Sequence, residues 1–135
     1  MKTSSRIAQL KPSATLAVNA KALELKAQGK EIISLAVGEP DFPTPDYVRD
    51  ACKRALDDGF TRYGAVPGLP ELRTAVANYF NVMYGTTARA EHTMITNGGK
   101  QALFNLFQSL INPGDEVIIP APYWVSYPPM VQLAE

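Results

Sequence analysis

This chain has little of the residues that usually announce a chemistry. It holds one cysteine, one histidine and one tryptophan, and its 13 basic and 13 acidic side chains cancel. A single thiol, Cys52, excludes an internal disulfide. Its apolar neighbours Val48, Ala51, Ala55 and Leu56 predict a buried thiol on a helix face rather than a nucleophile. The lone histidine, His92, stands in a polar stretch and is expected to be exposed and without a role. No metal site is expected. With net charge +0 and no basic stripe interleaved with aromatics, nothing favours nucleic acid. No run is long enough and apolar enough to span a membrane. The polar segment Met1–Pro12, with Lys2, Arg6 and Lys11, lacks the apolar stretch of a signal peptide. A reducing cytoplasm is the expected location.

What is present is an ordinary globular composition, 46% hydrophobic and 19% charged. After the polar arm, Ser13 fits a helix N-cap, with Leu16, Ala20, Leu23 and Ala27 on one face and Gly29 at the end. Residues 32–35 read as a short strand. A turn-rich loop follows, Gly38-Glu39-Pro40-Asp41-Phe42-Pro43-Thr44-Pro45. Thr44 and Pro45 fit N-cap and N1 of a second helix, and Gly59 its C′ position. Leu72, Val76, Phe80 and Met83 recur at helical spacing in a third helix that Gly85 ends. From Glu91 the pattern becomes strand, helix, strand, helix. Thr93–Thr96 and Val117–Ile119 are the strands. The helix from about Gly99 carries apolar residues on most faces, which predicts burial on several sides. A last helix begins after Pro122. This is the opening of an α/β parallel sheet. Two strands cannot cover these helices, so the chain is expected to be the N-terminal portion of a longer protein.

Thr96-Asn97-Gly98-Gly99-Lys100-Gln101-Ala102 joins the first of those strands to the apolar helix. Glycines at such a turn let the backbone bend tightly and leave N–H groups uncovered. Those groups lie at the positive end of a helix, where an anion is favoured. Lys100 stands in the first turn, where a cation opposes the dipole, so its presence points to a task other than helix stability. Neither nucleotide fingerprint fits: Met94 stands where a P-loop requires glycine, and no G-x-G-x-x-G occurs. The glycines alone also fit an ordinary tight connection.

Several motifs then line up in order: Lys11-Pro12-Ser13-Ala14-Thr15; Gly38-Glu39-Pro40-Asp41-Phe42; Tyr63, Gly68, Leu72 and Arg73 in a Tyr-x4-Gly-x3-Leu-Arg spacing; Asn97-Gly98-Gly99-Lys100-Gln101-Ala102-Leu103; and Pro122-Tyr123-Trp124. Together they resemble the class I pyridoxal-phosphate (PLP) aminotransferases, most closely the bacterial aspartate branch, some of whose members also transaminate prephenate. The resemblance covers essentially the whole chain. It implies a fold type I PLP-dependent transferase: residues 1–44 as an N-terminal arm and small-domain segment, and residues 45–135 as the truncated beginning of the PLP-binding large domain.

The resemblance also assigns residues. Gly98, Gly99 and Lys100 match the turn that holds the cofactor phosphate. Trp124 resembles the aromatic that stacks on the cofactor ring and borders the substrate; alone, it also fits a core or interface tryptophan. Tyr63 resembles a residue that crosses a dimer interface to the partner's cofactor phosphate, which implies a homodimer with shared active sites; alone, it fits a surface loop. Gly38 resembles the contact to the substrate α-carboxylate. The Lys100 side chain resembles a reader of the substrate's distal carboxylate, with Ser13 and Thr15 as hydroxyl partners and Lys11 tied to prephenate use. For Ser13 a plain N-cap role is compatible with this. Arg73 is expected to make structural contacts, and Asp41 and Phe42 to shape their loop.

In this family the lysine that forms the Schiff base lies well downstream, beyond Glu135, so no catalytic residue is assigned within the chain. The activity implied is transfer of an amino group from aspartate to 2-oxoglutarate, with an amino acid and a 2-oxo acid as small-molecule partners and residues 1–135 inactive alone. Two other readings stay open: another fold type I PLP enzyme, such as an aromatic or alanine aminotransferase or a C–S lyase, and a non-catalytic fragment or sensing domain.

Overall fold

Each helix starts and stops where local chemistry dictates. A computed structural model describes residues 2–134. Where the sequence pattern predicts only a polar arm, Ser4 caps a short helix, α1 (Ser5–Ala8), and its hydroxyl accepts from Ile7 N–H. Ser13 caps α2 (Ala14–Ala27), its hydroxyl accepting from Leu16 N–H at 3.4 Å. The next helix, α3 (Asp46–Asp57), begins one residue later than expected. Pro45 serves as N-cap, because its ψ of 142° is not helical. Pro70 opens α4 (Pro70–Tyr84), and Gly85 closes it in the left-handed conformation at φ 64°. A 3₁₀ turn, Ala90–His92, leads to α5 (Gly98–Leu110), and α6 (Tyr127–Leu133) follows with prolines in its first turn. His92 is exposed. No helix among the described residues is long and apolar enough to cross a membrane.

The expected parallel sheet is not assembled. Among the described residues there is no strand, and the segments 32–35, 93–96 and 117–119 carry no ladder. A strand is defined by its neighbours, and these segments lack them. Ile118 is 92% exposed and Ile33 89%, so the strand expected to be buried at 117–119 is open. The same cause corrects two further expectations. The apolar α5 leaves Leu106 and Leu110 exposed, and Cys52 is exposed because no other helix packs against α3 among the described residues.

Among the described residues, helical elements pack on one another in two places. In one, α6 packs against both α5 and α1 and buries Met130 and Ala134. In the other, α4 packs on the 3₁₀ turn and buries Ala77. Arg73 Nε donates to the Thr93 carbonyl at 2.7 Å, a structural contact as expected. The Asn81 side chain bonds both polar groups of the Ala88 backbone. The accessible surface is 11,585 Å², against about 6,900 Å² for a globular monomer of this mass. These apolar faces are built to be covered.

Gly68 fixes the approach of two segments. Its φ is +104°, and a Cβ there would lie 2.6 Å from Ile95 Cγ1 and 2.8 Å from Ile95 Cβ, while Ile95 N–H donates to Pro67 O at 2.9 Å. Gly68→Ala combines a left-handed penalty with overpacking against a branched carbon that cannot swing away. It is expected to cost about 2–4 kcal/mol. Urea midpoints of the full-length polypeptide check this; an unchanged midpoint would show that Ile95 yields freely.

Candidate active site

The residue types singled out in the sequence come from distant segments, and the fold brings several of them to one cleft. The cleft, of about 690 Å³, lies between the segment leading into α2, the start of α5 and the start of α6. Lys11 and Ser13 line it from the first, Lys100 from the second and Ser126 from the third. Phe104, Pro129 and Met130 supply apolar wall.

Two helix N-termini border this space. α2 has 14 residues and α5 has 13, and neither has an acidic residue in its first turn. Their positive ends are therefore uncompensated from within. Among the described residues, the cleft lining contains two lysines, Lys11 and Lys100, and no aspartate or glutamate. An enclosure with this charge balance favours an anion.

The start of α5 shows which donors remain free. A helix leaves its first N–H groups without intrahelical partners. Asn97 N–H donates to Gln101 Oε1 at 2.5 Å, and Gly98 N–H to the Thr96 carbonyl at 2.8 Å. Those of Gly99 and Lys100 have no bond outside the helix among the described residues. The Thr96 hydroxyl donates to the Gly98 carbonyl at 2.9 Å, which braces the turn. Gly98 has φ +80°, so a side chain there would be strained, and neither Gly98 nor Gly99 has an atom near the position a Cβ would take. The turn presents open backbone donors on a braced frame.

Trp124 stands beside the cleft. Its indole meets Tyr127 edge to face, with centroids 5.6 Å apart and planes at 88°. The Lys100 ammonium lies 4.7 Å from the indole centroid, and Lys100 makes no ion pair among the described residues. A lysine without a carboxylate partner, resting on a π-face, is free to meet a ligand's charge.

Other expected site residues lie apart. Thr15 sits in the first turn of α2 and Gly38 in an exposed loop, neither lining the cleft. Tyr63 is fully exposed in a separate depression with Thr61 and Arg62. Residues that line the cleft without having been assigned there include Asn97, Gln101, Phe104, Ser126 and Met130. The signal for some was present: Lys100 and Phe104, and Ser126 and Met130, are four apart and share helix faces. Among the described residues, no group of three or more histidine, cysteine or acidic side chains could hold a metal.

Residues 30–135 match the family Aminotransferase class I and II. An aspartate/prephenate aminotransferase of Thermus thermophilus is 56% identical over 131 residues, which are 97% of this chain and 34% of that protein. One from Nitrosomonas europaea is 51% identical over 135 residues, all of this chain and 34% of the relative. Among solved structures, the aspartate aminotransferase from Thermus thermophilus with maleate superposes with a TM-score of 0.95 at 54% identity, covering 99% of this chain and 35% of that one. The alanine aminotransferase from Pyrococcus furiosus gives 0.91 at 30% identity, covering 98% and 34%. The chain thus spans about a third of the length of the curated relatives it matches. It belongs to the class I and II aminotransferases, a family that uses pyridoxal phosphate.

Proposed function

We propose that residues 1–135 form the amino-terminal part of a PLP-dependent aminotransferase that moves an amino group between aspartate and 2-oxoglutarate, with prephenate as a further oxo-acid substrate. One observation carries this reading. Two helix N-termini and two lysines meet at one cleft that no carboxylate lines among the described residues, beside a tryptophan whose ring Lys100 overlies. The names of the relatives point the same way, since those above 50% identity are aspartate/prephenate aminotransferases.

The residues fit the cofactor. The free N–H groups of Gly99 and Lys100, at the positive end of α5, suit a phosphate. Gly98 supplies the left-handed bend that aims them. The flat face of Trp124 suits a pyridine ring. When bound, PLP acts as the electron sink for the substrate's α-carbanion.

The chain's own residues then divide the work of binding and orientation. Lys100 Nζ meets the distal carboxylate of a dicarboxylic substrate through a charge-assisted bond. Ser13 adds a hydroxyl from the opposite wall while capping α2. Thr15 is one turn position further along α2 and supports the same end of the site. Lys11 adds a second cation for a larger dicarboxylic acid such as prephenate. Gly38 offers a backbone donor to the α-carboxylate. Phe104 and Met130 exclude water from the floor. Proton transfer at the α-carbon falls to the lysine expected downstream. Tyr63, exposed and apart from the cleft, suits a reach to the partner's phosphate in a cytoplasmic homodimer. Residues 1–44 serve the small domain, whose Lys11–Ser13 segment faces the large-domain helix α5 across the cleft.

The test uses the completed polypeptide, in which residues 1–135 are joined to the remaining two thirds supplied by the Thermus thermophilus relative. Gly98→Val should weaken PLP binding about tenfold or more, because a branched residue at φ +80° displaces the N–H groups. Equilibrium dialysis against PLP measures this. Undiminished affinity would remove the phosphate from this turn.

A further inference from the structure

Lys100 and Trp124 serve different parts of a ligand, yet they touch each other. The ammonium lies 4.7 Å from the indole centroid. The indole also meets Tyr127, the first residue of α6, edge to face. Among the described residues, no carboxylate lines the cleft and Lys100 makes no ion pair. The π-face is thus the negative surface on which this cation rests.

We propose that the Lys100 ammonium has two seats, the Trp124 face in the free site and the second carboxylate of a dicarboxylic ligand in the occupied one, so that Trp124 senses the ligand's distal charge. This rests on the reading of Lys100 as the distal-carboxylate contact. The physics is a competition. A ring quadrupole attracts a cation, and a full carboxylate with a hydrogen bond attracts it more strongly. A ligand with one carboxylate, engaged at its α-end, offers nothing to draw Lys100 away. A ligand with two does, and it uncovers the indole face as it binds. Selectivity for dicarboxylic substrates then has two parts: the ion pair formed by Lys100 and the altered surface left at Trp124. Lys100 is thereby a positioning residue for the indole as well as a direct ligand of the carboxylate.

The experiment uses the completed polypeptide loaded with PLP. Trp124 emission is isolated by subtracting the Trp124→Phe variant. Maleate, with two carboxylates, is compared with crotonate, of similar size with one, and calorimetry records binding of each. Maleate should shift Trp124 emission and crotonate should not. Lys100→Met should abolish the shift and weaken maleate about tenfold or more, while Lys100→Arg, which keeps a cation able to sit on the ring, should retain it. Maleate binding with no shift at Trp124, or with the same shift in Lys100→Met, overturns the coupling and leaves the dicarboxylate reading standing. Failure of maleate to bind at all overturns both.

Discussion

In the completed polypeptide, Lys100→Ser should raise KM for aspartate about 10- to 100-fold and change KM for alanine by about twofold or less. The range follows from one charge-assisted hydrogen bond, worth about 1.5–3 kcal/mol, lost to one substrate and never made by the other. Serine keeps a hydroxyl and removes the charge, so the contrast isolates the cation. Lys100 suits this test because it makes no ion pair whose loss would disturb the fold among the described residues. It rests instead on the Trp124 ring. The same substitution should leave PLP binding nearly unchanged, since the phosphate is assigned to backbone N–H groups that serine also has. Steady-state kinetics with both amino acids decides the matter. Equal losses for aspartate and alanine would point to a different fold type I reaction.

A second large effect is expected from residues 1–135 in isolation. They should show no cooperative urea transition and no aspartate-dependent turnover. Ordering a backbone costs about 1–2 kcal/mol per residue, and burial must offset it. Among the described residues the buried apolar ones are Ala77, Met130 and Ala134, and the exposed surface exceeds that of a globular monomer of the same mass by about two thirds. Completing the polypeptide should restore a sharp transition, as cover for α3, α5 and the strand segments becomes available. Urea titrations followed by circular dichroism, with size measured in parallel, compare the two. A sharp transition from monomeric residues 1–135 would refute the energetic argument.

Helices were the legible part of this fold because their signals are local. Ser13, Gly29, Gly59 and Gly85 mark ends that depend on a few neighbouring residues, and the observed helices respect them. Strands were legible as apolar segments but not as structure. A ladder depends on residues far away in sequence, and among the described residues 117–119 forms none. Burial failed for the same reason: Cys52 sits on a helix face that the sequence marks as inward, and it is exposed. Part of the candidate cleft was legible in the order of motifs. Lys11, Ser13 and Lys100, singled out there, line one cleft. The contact of Lys100 with Trp124 was not legible, because it depends on how α5 and α6 pack. Ser126 and Gln101 were missed because serine and glutamine at helix starts also serve as ordinary caps.

The most direct measurement is the crystal structure of the completed polypeptide with PLP and maleate. The phosphate oxygens should lie within hydrogen-bonding distance of the Gly99 and Lys100 N–H groups, with Trp124 against the pyridine ring and the second maleate carboxylate on Lys100 Nζ. A phosphate held away from the Gly98–Lys100 turn, or a maleate whose second carboxylate leaves Lys100 on the indole face, would contradict this assignment of the site.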